Sequence, residues 1–354
     1  MTVVGTLIKL FAVQKDRFYL NIISQSICGI AQVFMLSIPS KVANTWFGAG
    51  EVSTACAIGV TWTQIGLALG ALLPTLMVPN VKDDAEVAAG FTSLFILDNI
   101  ASITMFVVVL FCFRSSPDSP PSQSQELKIN NNREIEIEYK GSFAKLLQER
   151  DFILVLICFG ASYGNWNSMG IMINEIYLSF FPENGKYLGI LVLVGILSGG
   201  VFGTLLFGYI LDKTHQYKKV SFCVLALNCI FWICLSISFQ LQSEIGSFIF
   251  IPAFGFTSGS LMVITYEFAI ETSYPNPEEL STGLMNAAIY LFAIFNVIIL
   301  EMVFKMAGIL AGQILMAIDY SACAALVLLI SSDLKRRKAN LLEHPLKNYG
   351  SSDE

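Results

Sequence analysis

One apolar segment, residues 159–175, carries the side chains best suited to binding an organic solute. One face of a helix through it would present, at spacing i, i+3, i+4 and i+7, Tyr163, Trp166, Asn167 and Gly170. Aromatic rings attract quaternary ammonium groups through cation–π interactions, and glycines at 160, 164 and 170 let a helix bend or unwind. Belt aromatics at a membrane interface are the alternative, but these rings lie in mid-segment. We interpret the face as solute-binding.

Uncharged polar side chains in two other apolar segments are further candidates for solute binding. Gln64 is surrounded by small residues that permit close helix approach, and its amide suits a polar or zwitterionic solute. A hydrogen bond between helices explains Gln64 equally well. Asn286 and Tyr290 are four residues apart and could face the same cavity.

The ionisable candidates are interpreted as gating residues. Glu267 and Glu271 share a helical face, and Glu267 is expected to lie one turn deeper. It could bind a proton or cation, although a latch between helices is the favoured interpretation. Asp212 and Lys213 are predicted to lie in a tight turn, where they would either latch a gate or simply be solvated.

Motifs for enzymatic chemistry are missing from the sequence. There is no phosphate-binding glycine loop, catalytic triad or metal-binding spacing, and two histidines are too few for a histidine metal site. The eight cysteines lie within apolar runs and are interpreted as small apolar fillers. We expect neither enzymatic activity nor a cofactor.

The composition indicates that these residues are positioned by helices in lipid. Of 354 residues, 55% are hydrophobic and 14% are charged, against about a quarter charged in soluble domains. This argues against a soluble enzyme, a nucleic-acid-binding protein and a disordered scaffold. A helical span needs about 20 apolar residues, and nine segments are predicted to be spans: 18–46, 53–79, 91–113, 152–181, 187–211, 219–240, 246–271, 281–304 and 308–331. Alternating barrel strands are not apparent, so the predicted fold class is an all-α, polytopic membrane protein.

A polar interruption divides the spans into two groups. Residues 114–151 are rich in proline, serine and charge and are predicted to be a linker. Before it, residues 1–113 would form an incomplete bundle of one partial and three complete spans. After it, 152–332 would form a six-helix bundle, followed by a tail at 333–354. This layout matches the two-bundle architecture of major facilitator transporters, with the first bundle incomplete at its N-terminus.

Positive charge predicts the orientation of the spans. With the linker in the cytoplasm, fifteen lysines and arginines fall on that side and six on the other: Lys9, Lys15, Arg17, Lys82, Lys186 and Lys305. We therefore predict that the linker and the tail from Asp333 are cytoplasmic. Single cysteines introduced into them should resist membrane-impermeant reagents in intact cells, and external labelling of the linker would overturn the assignment.

Several strings resemble a known family. Residues 24–59, SQSICGIAQVFMLSIPSKVANTWFGAGEVSTACAIG, are similar to the fourth and fifth helices of the feline leukaemia virus subgroup C receptor-related proteins, solute carrier family 49. GYILDKTHQYK, YEFAIETSYPNPEELSTGLMN and SSDLKRRKAN resemble the eighth to eleventh helices and the tail of that family. The resemblance implies a major facilitator fold and transport of choline or related amines such as ethanolamine. Haem export is also ascribed to the family.

The resemblance also implies roles for particular residues. Gln64 matches a family glutamine that lines the central cavity, and Tyr290 stands where a second such glutamine is found. The family's cage tyrosine aligns with Phe159 or Asn167, with Tyr163 and Trp166 as neighbouring substitutes. The first-helix tryptophan of the cage has no counterpart in this chain.

Two functions are compatible with these observations. The first is alternating-access transport of a small organic cation or zwitterion, in the plasma membrane or an organelle membrane. The alternative is a non-transporting membrane protein: a truncated isoform, a fragment that pairs with a full-length copy, or a receptor. The expected partners are accordingly the solute (choline, ethanolamine or haem), the lipid bilayer and a second copy of the protein, with no nucleic acid.

Overall fold

The computed structural model describes residues 1–35, 52–79, 83–114, 145–182, 184–274 and 278–331, with a few single residues between these ranges. Most of the predicted linker, 114–151, and the whole predicted tail, 333–354, lie outside the described residues. The side chain of Asp212 does so as well. The predictions made for these parts of the chain stay predictions.

The secondary structure of the described residues is helical. A 3₁₀ turn at Lys15–Arg17 and a π-helical segment at Ser198–Gly203 accompany these α-helices: α1 (Thr2–Leu10), α2 (Phe18–Met35), α3 (Val52–Met77), α4 (Asp84–Cys112), α5 (Arg150–Phe180), α6 (Gly185–Leu197), α7 (Thr204–Thr214), α8 (Tyr217–Gln240), α9 (Glu244–Ser273), α10 (Glu278–Ala307) and α11 (Ile309–Val327). Side chains cap the N-termini of α4 and α9. The Asp83 carboxylate accepts a hydrogen bond from the Ala85 amide at 3.0 Å, and the Ser243 hydroxyl accepts one from the Gly246 amide at 3.2 Å.

Six helical stretches of the described chain are long and apolar enough to cross a bilayer. They are Asp84–Cys112, Tyr187–Leu211, Tyr217–Gln240, Glu244–Ser273, Leu280–Ala307 and Ile309–Val327. Helix α5 has ample length, with 31 residues, but carries the polar run between Tyr163 and Asn167. The all-helical, multi-pass membrane architecture predicted from composition is confirmed.

The chain divides into two compact units. The N-terminal unit comprises Met1–Asn132 with Gly185–Leu193, and the C-terminal unit comprises Arg133–Asn184 with Val194–Glu354. The division therefore falls within α6. Gly189, in the part of α6 that belongs to the N-terminal unit, fits so tightly against the Thr75 side chain that a β-carbon would overlap it.

Polar contacts join α1 to its neighbours in the N-terminal unit. Asn99 Nδ2 donates to the Thr6 carbonyl oxygen at 2.7 Å, and Ser24 Oγ donates to the Gly5 carbonyl oxygen at 2.7 Å. Lys9 Nζ lies 3.5 Å from Asp98 Oδ2 and 5.9 Å from the centre of the Phe95 ring. Lys9, which opposed the predicted charge asymmetry, is thus an ion-pair partner within the helical packing.

The C-terminal unit is organised around α5, which packs along α10 and also contacts α9 and α11. Its core is apolar and includes the fully buried side chains Phe152, Phe159, Leu225, Ile264 and Phe268. Burial of such side chains stabilises packing by dispersion and shape, because lipid offers no hydrophobic driving force for helix association.

Glycines bring α6 and the π-helical segment against α9 at backbone contact. A β-carbon on Gly255 would lie 2.6 Å from the Gly195 α-carbon, and one on Gly259 would lie 2.6 Å from the Gly199 carbonyl carbon. Ser198 Oγ adds a 3.0 Å hydrogen bond to the Pro252 carbonyl oxygen. Small residues that permit close approach are typical of membrane helix interfaces.

Candidate functional site

Three helices of the C-terminal unit present a partly exposed face of aromatic and amide side chains. We call it the α5–α9–α10 face and define it by Tyr163, Met262, Tyr266, Asn286 and Tyr290. Tyr163 Oη lies 3.7 Å from Met262 Sδ, and Tyr266 Oη donates to Asn286 Oδ1 at 2.7 Å. Tyr290 is 42% exposed and close enough to Tyr266 to interact electrostatically.

Tyr163, Asn286 and Tyr290 were predicted from the sequence as solute-binding residues, and the structure adds Met262 and Tyr266 to the face. Asn286 and Tyr290 lie one turn apart on α10, as their spacing requires, and Tyr163 is held opposite α9. Met262 and Tyr266, one turn apart on α9, join the other side chains but were not anticipated. Tyr266 opens one of the strings that resemble the family, yet a tyrosine in a long apolar helix is also typical of packing.

Trp166 and Asn167 have other partners. The Trp166 ring centre lies 5.6 Å from that of Phe254, and the tryptophan remains half-buried. Asn167 Nδ2 donates to the Tyr163 carbonyl oxygen of its own helix at 3.0 Å. Phe159, one of the two positions aligned with the family tyrosine, is fully buried against Phe268. These contacts favour Tyr163 as the solute-facing aromatic residue of α5.

Two of the three glycines in α5 pack closely against α10. The helix is continuous from Arg150 to Phe180. A β-carbon on Gly164 would lie 2.9 Å from Phe292 Cβ and 3.0 Å from the Ala293 nitrogen, while one on Gly170 would meet nothing within 4 Å. The structure shows no unwinding at these glycines, and Gly160 and Gly164 let α10 approach closely.

Gln64 lies in the N-terminal unit, in the middle of α3. Its side chain is 8% exposed, and Gly66 and Gly70 beyond it face open space on the same unit. An amide buried in this way engages in hydrogen bonding, which is compatible with either of the roles proposed for it.

One detail of the predicted gating residues needs correction. Glu267 lies one turn further from the C-terminal end of α9 than Glu271 and is half-buried, whereas Glu271 is buried at 5% exposure. Asp212 and Lys213 lie within the last turn of α7, and the chain turns at His215, whose φ is 51°. Lys213 is exposed, with Nζ 5.8 Å from the Tyr209 ring centre.

A polar cluster that sequence reasoning missed joins α5, α10 and α11. Asn296 Nδ2 donates to Asn165 Oδ1 at 2.8 Å, and Asn165 Nδ2 donates to Asp319 Oδ2. A cavity of about 230 Å³ opens beside the three side chains, and the rest of its lining is apolar: Ile299, Leu300, Leu315, Met316, Ile318 and Ala322. The signal in the sequence is a single carboxylate in the middle of the apolar segment 308–331.

Comparison with known proteins assigns the family. The profile of the Major Facilitator Superfamily matches residues 1–297. The zebrafish (Danio rerio) choline/ethanolamine transporter flvcr2a is 34% identical over 336 residues, which cover 95% of this chain and 71% of that protein. The chain belongs to the FLVCR-related family of the major facilitator superfamily.

Other relatives agree with this assignment. The human choline/ethanolamine transporter FLVCR2 is 30% identical, and the match covers 95% of this chain and 64% of FLVCR2. The cat choline/ethanolamine transporter FLVCR1 is 31% identical, and the match covers 95% of this chain and 60% of FLVCR1. The chain thus spans roughly two thirds of these curated relatives. Among solved structures, a variant of the fucose:proton symporter FucP of E. coli superposes with a TM-score of 0.59, covering 93% of this chain and 81% of FucP at 10% identity. That likeness confirms the fold.

Proposed function

We propose that this chain transports a small organic ammonium solute, such as choline or ethanolamine, across a membrane. The α5–α9–α10 face carries the proposal, because it combines three tyrosine rings and an amide with no charged side chain among its members. A ring face attracts a cation by about 0.5–1 kcal/mol when exposed and about 2 kcal/mol or more when desolvated. The curated relatives named above are choline/ethanolamine transporters.

The members of the face would divide the work of recognition. Tyr163 and Tyr290 would hold the ammonium group through their rings, while Asn286, oriented by Tyr266, would bond a hydroxyl group of the solute. Gln64 is proposed as a solute-binding amide of the N-terminal unit. Transport would follow alternating access, with Glu267, Asp212 and Lys213 proposed to latch the gates.

Uptake of radiolabelled choline by cells expressing this chain tests the proposal directly. We expect saturable uptake in the plasma membrane that unlabelled ethanolamine inhibits, with haem included as a competing solute. A chain that reaches the cell surface and takes up none of these solutes would instead favour a non-transporting membrane protein.

Replacement of Gln64 by alanine should weaken choline uptake while surface abundance stays near that of the wild type. A net hydrogen bond of about 0.5–1.5 kcal/mol predicts an increase in apparent KM of roughly two- to twelvefold. Gln32→Ala is the matched control, because Gln32 is an exposed glutamine of α2. If abundance fell in step with uptake, Gln64 would be a packing residue.

A further inference from the structure

The cluster of Asn165, Asn296 and Asp319 lies at the depth where a charge is least tolerated. Asn165 is the middle residue of α5, Asp319 is central in α11, and Asn296 lies past the midpoint of α10. Helices that cross a bilayer place such positions in the hydrocarbon core. An ionisable side chain there is costly and is by default a candidate for function.

The hydrogen bonds of the cluster run in one direction and end on the carboxyl group. Asn296 donates to Asn165, and Asn165, which is 2% exposed, donates to Asp319 Oδ2. This supplies the carboxyl group with one amide donor. Oδ1, the second carboxyl oxygen, is available for a proton.

Charged groups on the packed helices lie away from this position. Among the described side chains, the charged residues of these helices lie towards helix ends. They are Arg150, Asp151 and Glu175 in α5, Glu301 and Lys305 in α10, and Lys218 and Lys219 in α8. The titratable neighbours of Asp319 on its own helix are Tyr320 and Cys323, and Cys158 and Cys229 lie beyond them. A basic partner for Asp319 is therefore not found in the described part of the chain.

We propose that Asp319 is a proton-binding site whose loading makes solute transport depend on pH. The proton passes from a hydronium ion of the entering water to Oδ1: an O–H bond of the hydronium breaks and leaves water, an O–H bond forms at Oδ1, and the carboxylate becomes a neutral acid. A dry cavity favours the neutral acid and a hydrated cavity favours the carboxylate, so states that differ in hydration differ in proton affinity. The dependence of transport on this proton rests on the proposed function.

A proton fits the cluster better than a metal cation. Hard cations such as Ca²⁺ take about six to eight oxygen ligands, whereas among the described residues the polar lining of the cavity comes from Asn165, Asn296 and Asp319. One of the two amide oxygens, Asn165 Oδ1, already accepts a hydrogen bond from Asn296.

Infrared spectroscopy of the full chain in nanodiscs tests the site without transport. The wild type should show the carbonyl stretch of a protonated carboxylic acid, and this band should disappear as the pH is raised. Asp319→Asn should remove the band, whereas Glu301→Gln, which alters an exposed carboxylate paired with Lys305, should retain it. A wild type without the band, or an Asp319→Asn variant that keeps it, would overturn the assignment.

Choline uptake as a function of external pH tests the dependence. We expect a pH-dependent rate in the wild type and in Glu301→Gln, changing by up to about tenfold per pH unit for one proton, and a flat profile in Asp319→Asn. Equal profiles in the wild type and Asp319→Asn would refute the dependence, and a requirement for sodium at constant pH would refute the proton.

The melting temperature of Asp319→Asn and a second variant, Asn296→Ala, separate an effect on the proton site from an effect on folding. Asp319→Asn preserves shape and can still accept from Asn165, so its melting temperature should stay near that of the wild type. If it is unstable, Asn296→Ala replaces it and should shift the pH midpoint of the band. If the wild type transports no solute at any pH, the proposed function fails while the infrared result still decides the site.

Discussion

Replacing Gly259 by leucine should prevent the accumulation of folded protein. A β-carbon at this position would lie 2.6 Å from the Gly199 carbonyl carbon and 2.7 Å from the Gly199 α-carbon. Because these are backbone atoms, they can yield only if the π-helical segment and α9 separate. Overpacking a well-packed site typically destabilises the folded state by about 1–3 kcal/mol. Leucine adds three more carbons beyond the β-carbon, so we expect the free energy of unfolding to fall by an amount within or above that range.

Gly170→Leu is the matched control for this substitution, because a β-carbon on Gly170 meets nothing within 4 Å. Leucine has a better helix propensity than glycine by up to about 1 kcal/mol, so this variant should be neutral or slightly stabilised. Fluorescence-detected size-exclusion chromatography after heating measures both variants. A monodisperse Gly259→Leu protein with the wild-type melting temperature would mean that the π-helical segment and α9 do not cross at backbone contact.

Replacing Tyr163 by alanine should lower the affinity for choline by about thirtyfold. The estimate follows from a cation–π contribution of about 2 kcal/mol for a desolvated ring. Tyr163→Phe should lose much less, because phenylalanine keeps part of the attraction and the hydroxyl contacts Met262 Sδ at 3.7 Å, a weak acceptor. Uptake at a series of choline concentrations, corrected for surface abundance, gives the comparison.

Controls distinguish cation binding from damage to packing. Tyr19→Ala removes a tyrosine that is 58% exposed at the start of α2 and should leave affinity unchanged. Trp166→Ala should also weaken binding, but loss of its contact with Phe254 should lower the melting temperature too. A Tyr163→Phe variant as impaired as Tyr163→Ala would indicate hydroxyl-driven binding, and choline-insensitive uptake would exclude a cation site.

The helices were predictable because length and apolarity determine a membrane span. The predicted segment 219–240 corresponds to α8, Tyr217–Gln240, and the predicted segment 246–271 lies within α9, Glu244–Ser273. Boundaries were less predictable where polar residues extend a helix: α4 begins at Asp84, capped by Asp83, rather than at residue 91. Caps stabilise helix ends through local hydrogen bonds that hydrophobicity does not reveal.

Polar side chains were predictable within one helix and much less so between helices. The spacing of Asn286 and Tyr290 was sufficient to place both on one face of α10. The bond from Asn165 to Asp319 joins residues 154 positions apart, and the ion pair of Lys9 with Asp98 depends on the packing of α1 against α4. One sequence specifies periodicity along each helix, but the pairing of faces depends on tertiary packing.

The π-helical segment at Ser198–Gly203 keeps a row of glycines on the side of the helix that faces α9. Gly195, Gly199 and Gly203 follow each other at intervals of four residues, and in an α-helix each interval overshoots a full turn by about 40°. A π-helical turn holds more residues than an α-helical turn. The four residues from Gly199 to Gly203 therefore rotate through less than a full turn, which offsets the overshoot between Gly195 and Gly199. All three glycines therefore point at α9, where their nearest neighbours include Ile251, Gly255 and Ser260. Deleting one residue from this segment would restore an ordinary helical pitch and leave α7 near its present rotation, because the π-helical segment accommodates about one extra residue.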